Sequence, residues 1–273
     1  DNYTEQYLDL IAGYRSIETP HLKFLVSTMK RTLKEVVSRL AKEFAQSDFT
    51  PVKCELKIGY DGDIPKIKIP VEDYGELELT GIVDRLDKWN GYVRIIDYKT
   101  GSRNFKLPDI LFGQNMQMLI YLYAVTKSEQ FGGKSAGILY MPASRAKDGA
   151  SAKRRMNGLL SGEMSVVTAM DKENKGEFVP KFSESSPSDS YVSPQDFDKI
   201  FNFIEEKLKS SGRAIYSGNI SADPIDGLDK GACDYCEYAS VCRIGNEKHK
   251  TVPRLTNQEV ISEIERQEND NGI

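Results

Sequence analysis

Asp84 and Asp97 lie thirteen residues apart, with Lys99 two beyond the second, in the stretch GIVDRLDKWNGYVRIIDYKTG over 81–101. Between the acids stands Asn90-Gly91, which favours a two-residue type I′ hairpin turn because both central positions need φ > 0. If those two residues form the loop, paired residue numbers sum to 181. Trp89 then faces Tyr92, Asp87 faces Arg94, and Asp84 falls opposite Asp97. Side chains alternate along a strand, so Lys99 shares the face of Asp97 and sits opposite Ile82. Asp87 against Arg94 is favourable. Asp84 against Asp97 sets like charges about 5 Å apart at Cβ, which destabilises a sheet. A divalent cation between the carboxylates relieves the conflict, as does protonation of one acid. Two hard oxygen ligands with positions left for water and phosphate suit Mg²⁺ or Mn²⁺. Beside a metal-bound phosphate, Lys99 would stabilise a pentacovalent transition state or position the attacking water. The alternative is that both acids point to solvent. Ile82, Leu86, Val93 and Ile95 on their face argue for burial around a polar centre.

A second group is made of cysteine. Cys233, Cys236 and Cys242 form C-x₂-C-x₅-C, and Cys54 is the remaining one of four. Such clustering favours a metal or iron–sulfur site over a disulfide framework, and with it a cytoplasmic protein. Zinc is the other candidate for these thiolates, with His249, seven residues on, at an untypical spacing for a fourth ligand.

The elements that must hold these groups follow from periodicity. Residues 1–47 read as helix, with Leu22, Leu25, Met29, Leu33, Val36, Val37 and Leu40 at helical spacing and Pro20 in the first turn. From 51 to 101 the period is two, interrupted by Gly, Asp and Asn, which suggests a four-stranded meander. DILFGQNMQMLIYLYAVTK is apolar nearly all round and reads as a helix packed on the sheet. SAGILYMPA reads as a further strand, and SPQDFDKIFNFIEEKLKSSG as a helix with Ser193 at its N-cap, Pro194 at N1 and Gly212 near its end. The chain after about residue 258 is polar and expected to fray. The expected fold is one α/β domain: a helical lead-in (1–50), a core (51–145), further strands and helices (146–230), a cysteine module (231–250) and a polar tail (251–273). The chain has 273 residues, 39% of them hydrophobic and 29% charged, and a net charge of -4. No apolar run is long enough to span a membrane, and any nucleic-acid contact must rest on local charge.

The ordered set of Asp84, the DYK of 97–99, the QMLIY of 117–121 and CDYCEYASVC resembles the PD-(D/E)XK nuclease superfamily. Its form is similar to the branch of RecB- and AddB-type helicase–nucleases, closest to the C-terminal nuclease domain of AddB subunits. The segments PVKCELKIG and SGNISADPIDGLDKGACDYCEYASVCR carry that likeness over most of 45–255. The resemblance implies a restriction-endonuclease-like core, a mixed sheet flanked by helices with a C-terminal cysteine module. It implies that Asp84 and Asp97 are metal ligands with the Tyr98 carbonyl a further one, that Lys99 is the catalytic lysine, and that Glu55 is an acidic helper. Gln117 and Tyr121 would orient the site or touch DNA. Cys233, Cys236 and Cys242, with one cysteine far upstream, would hold a [4Fe–4S] cluster acting as a staple. Cys54 falls where the family has an ordinary strand residue and reads as a small buried hydrophobe, and His21 as surface or packing. The family's upstream His and fourth cysteine are then expected before residue 1, in a longer protein.

The implied activity is metal-dependent exonucleolytic hydrolysis of single-stranded DNA, in a helicase–nuclease of double-strand break repair with an AddA-like partner subunit. ATP is not expected to bind this domain, and no membrane is implied. Arg103, Lys106, Arg145, Lys147, Lys153, Arg154 and Arg155 are candidate phosphate contacts. Two other functions share the motifs: a catalytically inactive DNA-binding scaffold, and a stand-alone CRISPR-associated iron–sulfur exonuclease.

Overall fold

The computed structural model describes residues 19–101, 104–144, 155–184, 188–226, 232–244 and 249–270, with a few positions ahead of residue 19. Helix α1 (Pro20–Gln46) leads into strands β1 (Thr50–Ile58), β2 (Ile67–Val71), β3 (Gly75–Leu79), β4 (Gly81–Trp89) and β5 (Tyr92–Lys99). A 3₁₀ turn (Leu107–Phe112), α2 (Gln117–Thr126), β6 (Lys134–Pro142), β7 (Asn157–Ser161), α3 (Met164–Met170), β8 (Tyr191–Val192) and α4 (Pro194–Tyr216) follow. The sheet runs β1-β4-β5-β6-β7-β8. It is antiparallel from β1 to β5, parallel between β5 and β6, and flanked by helices.

The hairpin has the register that Asn90-Gly91 requires. Trp89 pairs with Tyr92, Asp87 with Arg94 and Arg85 with Ile96, and Asn90 and Gly91 stand at φ 43° and 79°. The expected meander is corrected, however. Thr80 breaks the third run, β2 and β3 pair only with each other, and β1 pairs directly with β4. The β2–β3 hairpin lies on α4, where a Cβ on Gly212 would come within 2.6 Å of Val71 Cγ2. Gly212 thus permits a close approach rather than ending the helix, which runs on to Tyr216.

Two apolar layers sandwich the sheet. On one side Leu56, Ile58, Leu86, Val93 and Ile95 meet Met118 and Leu122 of α2 and Phe197 and Ile200 of α4. On the other, Ile96, Leu139 and Leu160 meet Val166 and Met170 of α3, with Leu40 of α1 packed alongside. Helix α1 forms as its pattern predicts, capped by Thr19, whose side chain accepts the Leu22 N–H. Its stripe is not covered by the described residues: Leu25, Met29, Leu33 and Val37 are exposed, and only Val26 and Glu43 are buried.

The tail expected to fray is instead a helix whose face completes the first layer. Helix α6 (Asn257–Asp270) buries Val260, Ile261 and Ile264 in that core. Thr256 and Glu259 close a capping box at its start, with the Glu259 carboxylate accepting the Thr256 N–H at 2.7 Å and Thr256 Oγ1 accepting the Glu259 N–H. Cys233, Cys236 and Cys242 lie between two short parallel strands, β9 (Ile225–Asp226) and β10 (Lys250–Thr251): Cys233 on a 3₁₀ turn (Ala232–Tyr235), Cys236 just after it and Cys242 at the end of α5 (Ala239–Cys242). No helix among the described residues is long and apolar enough to cross a membrane.

Candidate active site

Neighbouring strands bring the predicted acids together. The hairpin ladder is regular up to Arg85 and Ile96, which carries Asp84 and Asp97 to adjoining positions just past its last pair. There a side chain replaces the next rung: the Tyr98 N–H donates to Asp84 Oδ2 at 2.8 Å. On β1, Cys54 pairs with Arg85 and Leu56 with Val83, so Glu55 stands abreast of Asp84. Glu55 is exposed and left-handed, at φ 52°. That conformation is uncommon in a non-glycine residue, and strain of this kind concentrates at functional sites. Asp97 pairs on its other side with Tyr140 of β6. Glu55, Asp84, Asp97 and Tyr140 therefore form a row across four adjacent strands.

The Glu55 irregularity changes which residues face the core. Val83 and Leu86, three apart, join the same apolar layer, which strict alternation forbids. The phase of β4 slips between them, around Asp84. The expected burial of Ile82 is corrected for this reason: it is 43% exposed.

Lys99 Nζ lies 2.5 Å from Asp97 Oδ2, with the side chains 30% and 14% exposed. The ammonium also sits 5.7 Å from the centre of the Tyr140 ring. Tyr140 donates its hydroxyl proton to Asn115 Oδ1 at 3.2 Å, and Asn115 Nδ2 reaches Asp109 Oδ2 at 3.4 Å. This second tier was not read from the sequence. Its signal is Asn115, in the left-handed conformation that Asn tolerates, breaking what reads as one continuous helix.

Gln117 and Tyr121 come to the start of β4. Gln117 Nε2 donates to the Tyr121 hydroxyl at 3.0 Å. The Tyr121 ring lies against Gly81, where an added Cβ would come within 2.4 Å of its atoms. Gly81→Ala must push the ring aside, and overpacking of this kind costs about 1–3 kcal/mol. We expect a urea midpoint lowered to match; a midpoint equal to the parent's would show that Tyr121 yields freely.

On the opposite face the hairpin carries a buried ionic quartet. Arg85 grips Asp87 with two hydrogen bonds of 2.8 and 2.7 Å and reaches Glu43 of α1 at 3.0 Å. Arg94 bonds Asp87 at 2.9 Å and Glu43 at 2.5 Å. The guanidinium groups also lie over the rings of Phe44 and Phe49. Burial alone would depress the pKa of Arg85, but Asp87 and Glu43 outweigh it and raise it. Arg85 Nη1 donates to the Tyr98 hydroxyl at 3.2 Å. Burial pushes the pKa of Tyr98 up, against the pull of Arg85. The Asp87–Arg94 pair is the one read from the hairpin; Glu43 was missed, although it continues the Val36, Leu40 stripe of α1 at helical spacing.

The family model described as the PD-(D/E)XK nuclease superfamily matches residues 2–243. This chain belongs to that superfamily. It is 30% identical over 93% of its length to the B-type subunit of the ATP-dependent helicase/deoxyribonuclease of Alkaliphilus oremlandii. To the proteins of that name from Clostridioides difficile and Geobacillus kaustophilus it is 29% and 33% identical, over 92% and 86% of its length. The chain spans about a quarter of the length of these relatives. The mixed sheet between helices is the PD-(D/E)XK architecture, and Asp84, Asp97 and Lys99 stand on its β4 and β5.

PD-(D/E)XK nucleases in general use divalent metal ions, so the donors here must be weighed against one. Asp84 commits one oxygen to the Tyr98 N–H, and its other oxygen and the partly open Asp97 are hard donors. Mg²⁺ is commonly held by one or two carboxylates, with water and phosphate completing the shell, so the two acids fit such an ion. Among the described residues no three His, Cys, Asp or Glu side chains gather to hold a metal. Cys233, Cys236 and Cys242 are thus not drawn round one centre among the described residues. Cys54, expected to be buried, is exposed because it lies on β1, an edge strand of the sheet. Lys106 and Arg155 are exposed; Arg103, Arg145, Lys147, Lys153 and Arg154 lie outside the described residues.

Proposed function

We propose that this chain is the nuclease domain of a helicase–nuclease and hydrolyses phosphodiester bonds of single-stranded DNA from an end, with Mg²⁺ or Mn²⁺. The observation that carries the reading is the placement of Asp84 and Asp97 on adjoining strands with Lys99 against Asp97. Asp84 and Asp97 would hold the ion, with the Tyr98 carbonyl as a further ligand. When bound, a divalent cation polarises the phosphate and lowers the pKa of a coordinated water. Lys99 stabilises the negative charge that grows on the phosphoryl oxygens. Glu55, abreast of Asp84, adds a carboxylate able to take a proton from water. Gln117 and Tyr121 orient the start of β4 and touch DNA.

The partner is an AddA-like helicase subunit, the setting is cytoplasmic repair of double-strand breaks, and strand binding rests on phosphate contacts from Lys106 and Arg155. The name that the relatives carry, as part of a helicase/deoxyribonuclease, supports this setting. An iron–sulfur cluster on Cys233, Cys236 and Cys242 is proposed from the motif spacing, with its fourth thiolate supplied from outside the described residues.

The test is digestion of end-labelled single- and double-stranded DNA by the full-length protein after chelation and readdition of metal. We expect no cleavage with EDTA, and release of short products from single strands once Mg²⁺ or Mn²⁺ returns. Cleavage that persists in EDTA would overturn the metal-dependent reading.

A further inference from the structure

We propose that the buried quartet of Glu43, Arg85, Asp87 and Arg94 positions the candidate active site, acting through Tyr98. The proposal deepens the reading of Asp84, Asp97 and Lys99 given above and rests on it.

Tyr98 is the middle residue of Asp97-Tyr98-Lys99, and strand alternation sends its ring to the face opposite its neighbours. The ring packs on the second apolar layer, where its hydroxyl accepts from Arg85 Nη1 at 3.2 Å. Its backbone N–H holds Asp84 Oδ2 at 2.8 Å. Tyr98 is thus fixed at both ends: by the quartet through its hydroxyl, and to a candidate metal ligand through its main chain. Any shift of the ring moves the peptide that orients Asp84 and that joins Asp97 to Lys99.

The chemistry of the quartet supports positioning over bare stability. Apolar replacements of a buried ion-pair network are often neutral or stabilising, so four buried charges are a poor way to gain stability alone. Leucines could fill the same space but could not aim a donor. Arg85 is clamped by Asp87 through two bonds and by Glu43 through a third, which leaves Nη1 pointing at one place. The same Glu43 binds Arg94 across the hairpin and ties both strands to α1. The position of the peptide at Tyr98 is therefore referred to a rigid block that includes three elements: α1, β4 and β5.

Arg85 and Tyr98 are positioning residues in this account, and Tyr98→Phe is the sharpest probe, since it removes the hydroxyl and keeps ring and carbonyl. In the full-length protein we expect Tyr98→Phe to weaken Mn²⁺ binding, followed by electron paramagnetic resonance, by about tenfold, the low end for loss of an outer-shell partner. The kcat for single-stranded DNA should fall by about as much with KM unchanged, measured well below a thermal midpoint that the unpaired Arg85 Nη1 lowers. Arg85→Lys keeps the charge but loses the fork, and should add little to Tyr98→Phe in the double variant if both act through the one bond.

Asp97→Asn separates the two levels. If the parent binds no Mn²⁺, or Asp97→Asn binds it as tightly as the parent, the active-site reading fails and the proposal with it. If the parent binds, Asp97→Asn does not, and Tyr98→Phe matches the parent in affinity and kcat, the proposal alone is overturned. A loss in Tyr98→Phe that disappears at temperatures well below its thermal midpoint would likewise assign the quartet to stability and overturn positioning.

Discussion

Asp97→Asn and Lys99→Ala are each expected to slow DNA cleavage by about 10²–10⁴-fold, with little change in stability. The size follows from what each side chain would do. A single preorganised group facing transition-state charge is worth about 10²–10³ in rate, and a positioned proton-transfer or metal-holding group can exceed that. The two groups lie 2.5 Å apart, so each variant also alters the charge its neighbour faces. Their losses should then combine less than additively. Stability should move little in Asp97→Asn, which keeps the side-chain shape and removes the like charge facing Asp84, and in Lys99→Ala because the lysine is itself about a third exposed. The check is single-turnover cleavage of labelled single-stranded DNA alongside a urea titration. Either variant cleaving at the parental rate would remove these residues from the chemistry, whatever the family pattern implies.

Glu43→Ala should have the largest effect on folding. Its carboxylate accepts from Arg85 at 3.0 Å and from Arg94 at 2.5 Å, and all three side chains are shut off from water. Removing it leaves two buried guanidinium groups facing the single carboxylate of Asp87. Breaking a buried ionic network from one side costs about 3–5 kcal/mol, a large share of the roughly 5–15 kcal/mol that holds a domain folded. Equilibrium urea unfolding should show a midpoint reduced accordingly. A loss under about 1 kcal/mol would mean that water or relaxation compensates the arginines.

What could be read beforehand and what could not divides along physical lines. The turn chemistry of Asn90-Gly91 was enough to give the hairpin pairing, because φ > 0 at two successive positions leaves few alternatives. Ser193 and Pro194 marked the start of α4 for equally local reasons, and Ser193 and Asp196 do form a capping box. The phase slip at Glu55 has no such signal, since a left-handed glutamate leaves no trace in a pattern of alternating residue types. Gly212 looked like a helix end because its neighbour Val71, which takes the space, is distant in sequence. Helix α6 was hidden by its polar face, although Thr256 and Glu259 spell its cap. Glu43 went unseen because its partners lie on another element, and a lone acid on a helix normally faces water.

The carboxylate that stands in for a ladder rung has a consequence for the sheet itself. A strand N–H lies in the plane of its sheet, so an Asp84 oxygen that receives the Tyr98 N–H must lie between β4 and β5. With β4 changing phase at that residue, the carboxylate turns toward the strand boundary. The polar centre therefore sits along one strand boundary, where the ladder of β4 and β5 ends at Arg85 and Ile96 and a side chain takes over. A protein that needs charge in mid-sheet can have it without hollowing either core, and its oily layers are free to vary while that boundary stays in place.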